Sequence, residues 1–211
     1  GTGKEGKGLA YRWALAGHQV VIGSRAKEKA LAACEALRPL LPAETSLSAM
    51  ENLEAARTCD VIVITVPFNA HQEMLTFLKA SVQGKLVVDV TVPLVPPKVT
   101  KIQMPPAGSA GQETAGILGD GVQVVTAFQN ISYERLLENG DLACDVLVCG
   151  TSREARARIL ALVRDAGLRG FDAGPIENSV VAEGLTSILI GINKQFNIQH
   201  AGIRITGIPE S

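Results

Sequence analysis

Gly1-Thr2-Gly3-Lys4-Glu5-Gly6 opens the chain with glycines spaced by two and three, and Ser24-Arg25, with Lys29 one helical turn on, follows about twenty residues later. Glycines so spaced suit a strand-to-helix turn that grips a pyrophosphate. The first makes the tight turn, the second lets backbone approach the phosphates, and the third lets the helix pack on a sheet. The helix start adds unpaired N–H groups and a positive dipole end. At the end of the next strand an acidic residue would bind a ribose 2′-OH and repel a 2′-phosphate. The hydroxyl of Ser24, the guanidinium of Arg25 and the ammonium of Lys29 favour the phosphate instead. The ligand expected at Gly1, Gly3, Gly6, Ser24, Arg25 and Lys29 is NADP(H). The plainer alternative is an ordinary helix cap with solvated basic residues.

Groups for acid–base or nucleophilic chemistry are scarce. No Ser-His-Asp, Cys-His or paired-carboxylate spacing is recognisable, and His18, His71 and His200 stand alone. His18 follows a helix stop and reads as a surface residue. His71, four residues past Pro67, reads as a solvated helix end, with a cleft-facing role as the alternative. No catalytic side chain is therefore assigned. Hydride transfer between two bound cofactors needs aligned rings and exclusion of water more than a proton shuttle, whereas an alcohol dehydrogenase needs a base. Cys34, Cys59, Cys144 and Cys149 contain no C-x-x-C, so neither a metal site nor a disulfide framework is expected, but four reduced thiols in a cytoplasmic protein.

Composition narrows the partner. A net charge of −1 gives no general attraction to nucleic acid or an anionic membrane, and 4% aromatic content argues against a stacking surface for single strands. No apolar run is long enough for a membrane span. A small-molecule partner is expected.

The elements that position these residues alternate between strand and helix. Strands are expected at 19–23, 60–66, 85–90, 122–125, 145–149 and 168–172, and helices at 7–16, 26–37, 50–58, 70–80, 112–118, 132–138 and 152–166. This is the pattern of an α/β, Rossmann-type doubly wound, mainly parallel sheet. Ligands in such sheets sit beyond the carboxyl ends of strands. That rule selects Ser24-Arg25, Val66-Pro67-Phe68 and Thr91-Val92-Pro93-Leu94 as one rim. The proline-rich stretch 91–111 is expected to shape a pocket there. A glycine fingerprint also requires a strand ahead of it, so the first strand is expected to be missing from the chain as given. Residues 1–150 are read as the dinucleotide-binding domain and 151–211 as a smaller, largely helical C-terminal lobe. Its long helix, about 177–198, carries more apolar residues than one face needs, which suits a lobe core and a dimer contact. Residues 202–207 look like a short strand.

Gly1-Thr2-Gly3 with Gly6-Lys7-Gly8, Gly23-Ser24-Arg25 with Lys29, Thr65-Val66-Pro67, Asp172-Ala173-Gly174-Pro175, Leu185-Thr186 and Gly202-Ile203-Arg204-Ile205 together resemble the NADPH-dependent reductases of coenzyme F-420 (F420), an 8-hydroxy-5-deazaflavin. The likeness runs through nearly the whole chain. It implies hydride transfer between NADP(H) and F420, and a homodimer. It implies that Thr2, Gly3, Lys4 and Glu5 wrap the pyrophosphate, that Val66, Pro67, Val92 and Ala127 line the nicotinamide, and that Phe68, Pro93 and Leu94 border the deazaflavin. Donors to the deazaflavin are expected from backbone amides near Pro93 or Ala127. Lys4-Glu5 departs from the family pattern by bringing a carboxylate near the pyrophosphate. The competing readings are an NADPH-dependent flavin or ferric reductase-like domain, an imine or keto reductase, and a non-catalytic NADP(H)-binding module.

Overall fold

The computed structural model describes residues 1–138, 140 and 142–208. The strands are β1 (Val20–Ser24), β2 (Leu47–Glu51), β3 (Val61–Ile64), β4 (Leu86–Asp89), β5 (Gln123–Thr126), β6 (Asp145–Gly150) and β7 (Arg169–Gly174). The helices are α1 (Lys4–Leu15), α2 (Lys27–Leu37), α3 (Asn52–Thr58), α4 (His71–Leu78), α5 (Ala110–Leu118), α6 (Arg153–Asp165) and α7 (Ser179–Phe196). β1 pairs with β2, and β3-β4-β5-β6-β7 form a second ladder. Every pairing is parallel except β5 with β6.

Helices on both faces explain the unbroken apolar runs. In β4, Leu86 and Val88 join a cluster with Leu9 and Trp13 of α1 and Ile159 and Val163 of α6, while Val87 joins Leu75 and Leu78 of α4 and Leu118 of α5 on the other side. A strand covered twice needs no polar face. Asp89 closes β4 and is nevertheless fully buried. Between β1 and β3 lies a slot of about 480 Å³, lined by residues of both strands together with Leu9, Ala10 and Trp13 of α1. No ladder joins the two strands among the described residues.

Three local expectations need correction. Residues 47–51 form β2, paired in register with β1, so the helix expected from 50 begins only at Asn52. The helix expected over 132–138 is reduced to a single 3-10 turn, Arg135–Leu137. Its carbonyls are engaged by buried Arg12 of α1, which donates to the oxygens of Leu136 at 2.8 Å, Arg135 at 3.3 Å and Glu138 at 2.5 Å. Residues 202–206 form no strand. They are pinned to Asp145, whose N–H donates to the Ile203 carbonyl and whose carboxylate accepts from the Ile205 N–H. Beyond residue 150, β7 pairs with β6, α6 packs on both, and α7 packs on α5 and β6.

Candidate active site

A cleft of about 710 Å³ opens beyond the carboxyl ends of β3, β4 and β5. Gly3 and Glu5 stand at one end of it. Val66, Pro67, Phe68, Val92 and Leu94 line it from the loops after β3 and β4, Phe128 to Tyr133 from the loop after β5, and Thr186, Leu189, Ile190 and Asn193 from α7. The proline-rich loop reaches α7 at Gly184, where a Cβ would meet Met104 at 3.4 Å and Ile102 at 3.5 Å. Phe128 turns the chain into the cleft with a left-handed φ of 73°, a conformation that costs a bulky residue energy and is held by surrounding contacts. One such contact is the edge-to-face packing of its ring on Trp13, with centroids 5.7 Å apart.

The glycine turn has the form of an anion cradle. Gly3 is the N-cap of α1 and supplies no side-chain cap, so the first-turn N–H groups have no partner inside the helix. Gly6 is tightly required: a Cβ there would lie 2.5 Å from the Gly1 carbonyl and 2.9 Å from Thr65 Oγ1. At Gly3 nothing lies within 4 Å of a Cβ. That openness is the space into which a ligand could approach the backbone. Lys4 is exposed and reaches across to Tyr133, with its Nζ 3.0 Å from the phenol oxygen and 4.6 Å from the ring centroid. Burial pushes the Glu5 carboxyl up to about 8, so at neutral pH it is mainly the uncharged acid. The carboxylate anticipated near a pyrophosphate is thereby largely neutralised.

Ser24 is buried at the end of β1, while Arg25 and Lys29 are exposed. Arg25 borders a separate cavity of about 660 Å³ with Gln72, Glu73, Met74, Thr76 and Phe77 of α4. The single rim expected from the strand-end rule is thus two neighbouring openings. Gly1 and Gly6 border the slot between β1 and β3, and Thr2 is half-buried beside them. Pro93 and Ala127 are buried and do not line the cleft. The Ala127 amide donates to the Asp89 carbonyl and the Leu94 amide to the Val92 carbonyl, so these two backbone donors are already engaged.

Of the lining residues, Gln129 and Asn130 were not among the expected ones. Glu5 Oε1, Thr65 Oγ1, Gln129 Oε1 and Asn130 Oδ1 are buried and have no hydrogen-bond partner among the described residues. All four residues line the cleft. A buried polar atom without a partner is costly, and four of them around one cleft point to a polar ligand that completes their bonding. Gln129 and Asn130 lie just past the end of β5, where the rule that selected Val66 and Val92 applies equally.

His71 is corrected outright. It is not a solvated helix end but is completely buried. Its Nε2 is 2.7 Å from Asp89 Oδ2 and its Nδ1 is 2.9 Å from Glu113 Oε1. The signal was present in the sequence: a lone carboxylate in the run Leu86-Val87-Val88-Asp89-Val90 must find a buried partner. Among the described residues no cluster of His, Cys, Asp and Glu could hold a metal ion, and the four cysteines are free.

Comparison with known proteins adds a second line of evidence. Residues 1–93 match the family described as NADP oxidoreductase coenzyme F420-dependent. The F420-dependent NADP reductase of Methanocaldococcus jannaschii is 36% identical over 217 residues, covering 99% of this chain and 96% of that protein. The F420-dependent NADP reductase of Methanothermobacter marburgensis is 38% identical over 218 residues, covering 100% of this chain and 97% of that protein. A crystal structure of a protein from Arthrobacter sp. FB24 superposes with a TM-score of 0.82 at 22% identity, covering 98% of this chain and 96% of that one, which speaks to the fold alone.

Proposed function

This chain belongs to the coenzyme F420-dependent NADP reductases, and from that premise we propose that the cleft beyond β3, β4 and β5 is where it brings NADP(H) and the deazaflavin together. The reaction is hydride transfer between NADP(H) and F420, and the two cofactors supply all of the redox chemistry. The observation that carries the reading is the set of unpartnered buried polar atoms, Glu5 Oε1, Thr65 Oγ1, Gln129 Oε1 and Asn130 Oδ1, in a cleft that starts at the glycine turn.

The chain's part is binding, orientation and exclusion of water. The open N–H groups of the first turn of α1, with Thr2, Gly3, Lys4 and Glu5, hold the pyrophosphate. Uncharged Glu5 can donate its carboxyl proton to an anionic oxygen where an ionised one would repel it. Ser24, Arg25 and Lys29 hold the 2′-phosphate, with Arg25 and Phe77 bordering the adenosine side. Val66, Pro67 and Val92 form the nicotinamide wall, and Phe68 and Leu94 border the deazaflavin. Pro93 and Ala127 act from behind that wall by fixing its backbone. Gln129 and Asn130 offer unspent acceptors, and Asn193 of α7 faces the same space. Apolar walls lower the local dielectric and strengthen each of these contacts.

The protein acts as a homodimer in a reducing cytoplasm. Val181 and Ile188, seven residues apart on α7, are 62% and 48% exposed, an apolar stripe that a second copy would cover. Among the described residues no helix is long and apolar enough to cross a membrane.

Direct transfer is tested with NADPH deuterated at C4. Deuterium recovered at C5 of the reduced deazaflavin, undiluted by solvent protons, is the expected result; a label lost to water would contradict the proposal.

A further inference from the structure

Asp89 is the hub of a buried polar cluster beneath the cleft. Its Oδ2 accepts from His71 Nε2 at 2.7 Å and from the Thr114 hydroxyl at 2.5 Å, its Oδ1 accepts from the Thr91 N–H at 2.9 Å, and its carbonyl accepts from Gln129 Nε2 at 2.9 Å. Two of these partners, Thr91 and Gln129, line the cleft. Three donors on one carboxylate satisfy it as an anion. The other ring nitrogen of His71 meets Glu113 Oε1 at 2.9 Å. A neutral imidazole with its proton on Nε2 would aim the Nδ1 lone pair at that carboxylate oxygen. With both carboxyls ionised, both contacts are satisfied at once only by the doubly protonated ring, whose Nε2 also lies 3.0 Å from the Thr114 hydroxyl oxygen. The ring of Phe68, which lines the cleft, lies 5.8 Å from the imidazole centroid at an interplanar angle of 31°.

We infer that His71 is a positioning residue: an imidazolium clamped between Asp89 and Glu113 that holds Thr91, Gln129 and Phe68 in place as cleft lining. No proton leaves it during turnover; its charge fixes the partners of Asp89 and the tilted ring contact with Phe68. The titratable groups facing it come from three elements: Asp89 from β4, Glu113 from α5, and Glu183 from α7, whose carboxyl is pushed up to about 7 by burial and whose oxygens cap α5 by accepting from the N–H groups of Ala110 at 2.7 Å and Gly111 at 3.0 Å. Burial pulls the imidazolium toward deprotonation, but its hydrogen bonds and charge interactions with Asp89 and Glu113 outweigh this and leave its pKa above the ordinary value. A raised folded value means that the clamp is intact below the ordinary imidazole pKa and is lost as pH rises through the raised one.

The inference that the clamp serves the cleft rests on the proposed use of that cleft, whereas the clamp itself can be tested without substrate. Nitrogen-15 NMR of the histidine rings of the whole protein reads it directly, with His18→Gln and His200→Gln assigning His71 by elimination. The expected result is one ring that keeps both nitrogens protonated above the ordinary imidazole pKa, with a midpoint that Glu113→Gln lowers. In turnover, the KM for the deazaflavin should rise about tenfold or more through that same midpoint, and the rise should move with the midpoint in Glu113→Gln. A His71 ring that loses its proton at or below the ordinary imidazole pKa would overturn the clamp. A titration as described with a KM that ignores it would overturn the link to the cleft, and absence of any deazaflavin turnover would count against the proposed function instead.

Discussion

Gly3→Ala separates ligand binding from folding. The backbone at Gly3 has φ −69° and ψ 172°, extended geometry that alanine adopts freely, and no atom lies within 4 Å of the added Cβ. Alanine is a poorer N-cap than glycine by roughly 0.5–1 kcal/mol, while restricting the unfolded chain returns about 0.4–1 kcal/mol, so the net change in stability is within about 1 kcal/mol. In a chain of 211 residues that moves Tm by no more than about 4 °C. The ligand meets a different situation. A methyl group at the mouth of the cradle pushes phosphate oxygens away from the first-turn N–H groups of α1. Losing one charge-assisted bond of that kind costs about 1.5–3 kcal/mol, or roughly ten- to 150-fold in affinity. Thermal melts without ligand, calorimetric NADPH binding and steady-state KM measure the two effects separately. The expected result is an almost unchanged Tm with NADPH binding weakened at least about tenfold. Gly6→Ala provides the contrast, because its Cβ would strike the Gly1 carbonyl and Thr65 and should lower Tm itself. Unchanged NADPH affinity in a folded Gly3→Ala would refute the placement of the pyrophosphate on this turn.

Other outcomes follow from the same geometry. Arg25→Ala should raise the KM for NADPH by roughly ten- to 150-fold with kcat nearly intact, because it removes binding common to ground and transition states; an equal loss with NADH as donor would contradict its assignment to the 2′-phosphate. Glu5, with its carboxyl pushed up to about 8, contributes stability that is complete below the ordinary carboxyl pKa and is lost as pH rises through 8. Glu5→Gln should therefore flatten the fall in Tm between about pH 5 and pH 9, together with any weakening of NADPH binding above pH 8. A wild-type fall that persists in the variant would assign it to other groups.

The strands most plainly legible in the sequence include those buried in the middle of the sheet. Residues 61–64, 86–89 and 145–150 are apolar runs because helices pack on either side of the sheet, and the turn residues around them set their ends. β2 was not legible, since Leu47-Ser48-Ala49-Met50-Glu51 alternates weakly and runs straight into α3; its pairing with β1 is a tertiary preference. Neither was the loss of the helix at 132–138, which depends on a guanidinium 124 positions away from Leu136 in the chain. In the site, the glycine turn and the strand-end loops were readable because their residue types are fixed by local backbone needs. His71 was not read from its own surroundings in sequence, which suggest a helix start in water. Only the unexplained carboxylate of Asp89 in an apolar strand pointed to it, and the two residues are 18 apart. Gln129 and Asn130 are ordinary polar loop residues until burial strands their oxygens.

The most direct test of the central claim follows the visible absorbance of oxidised F420 mixed with this protein and either NADPH or NADH. The account predicts loss of the deazaflavin band with NADPH and much slower loss with NADH. A band that persists with both donors while NADPH binds would contradict it, and would favour a flavin-type reductase or a binding module that does not turn over.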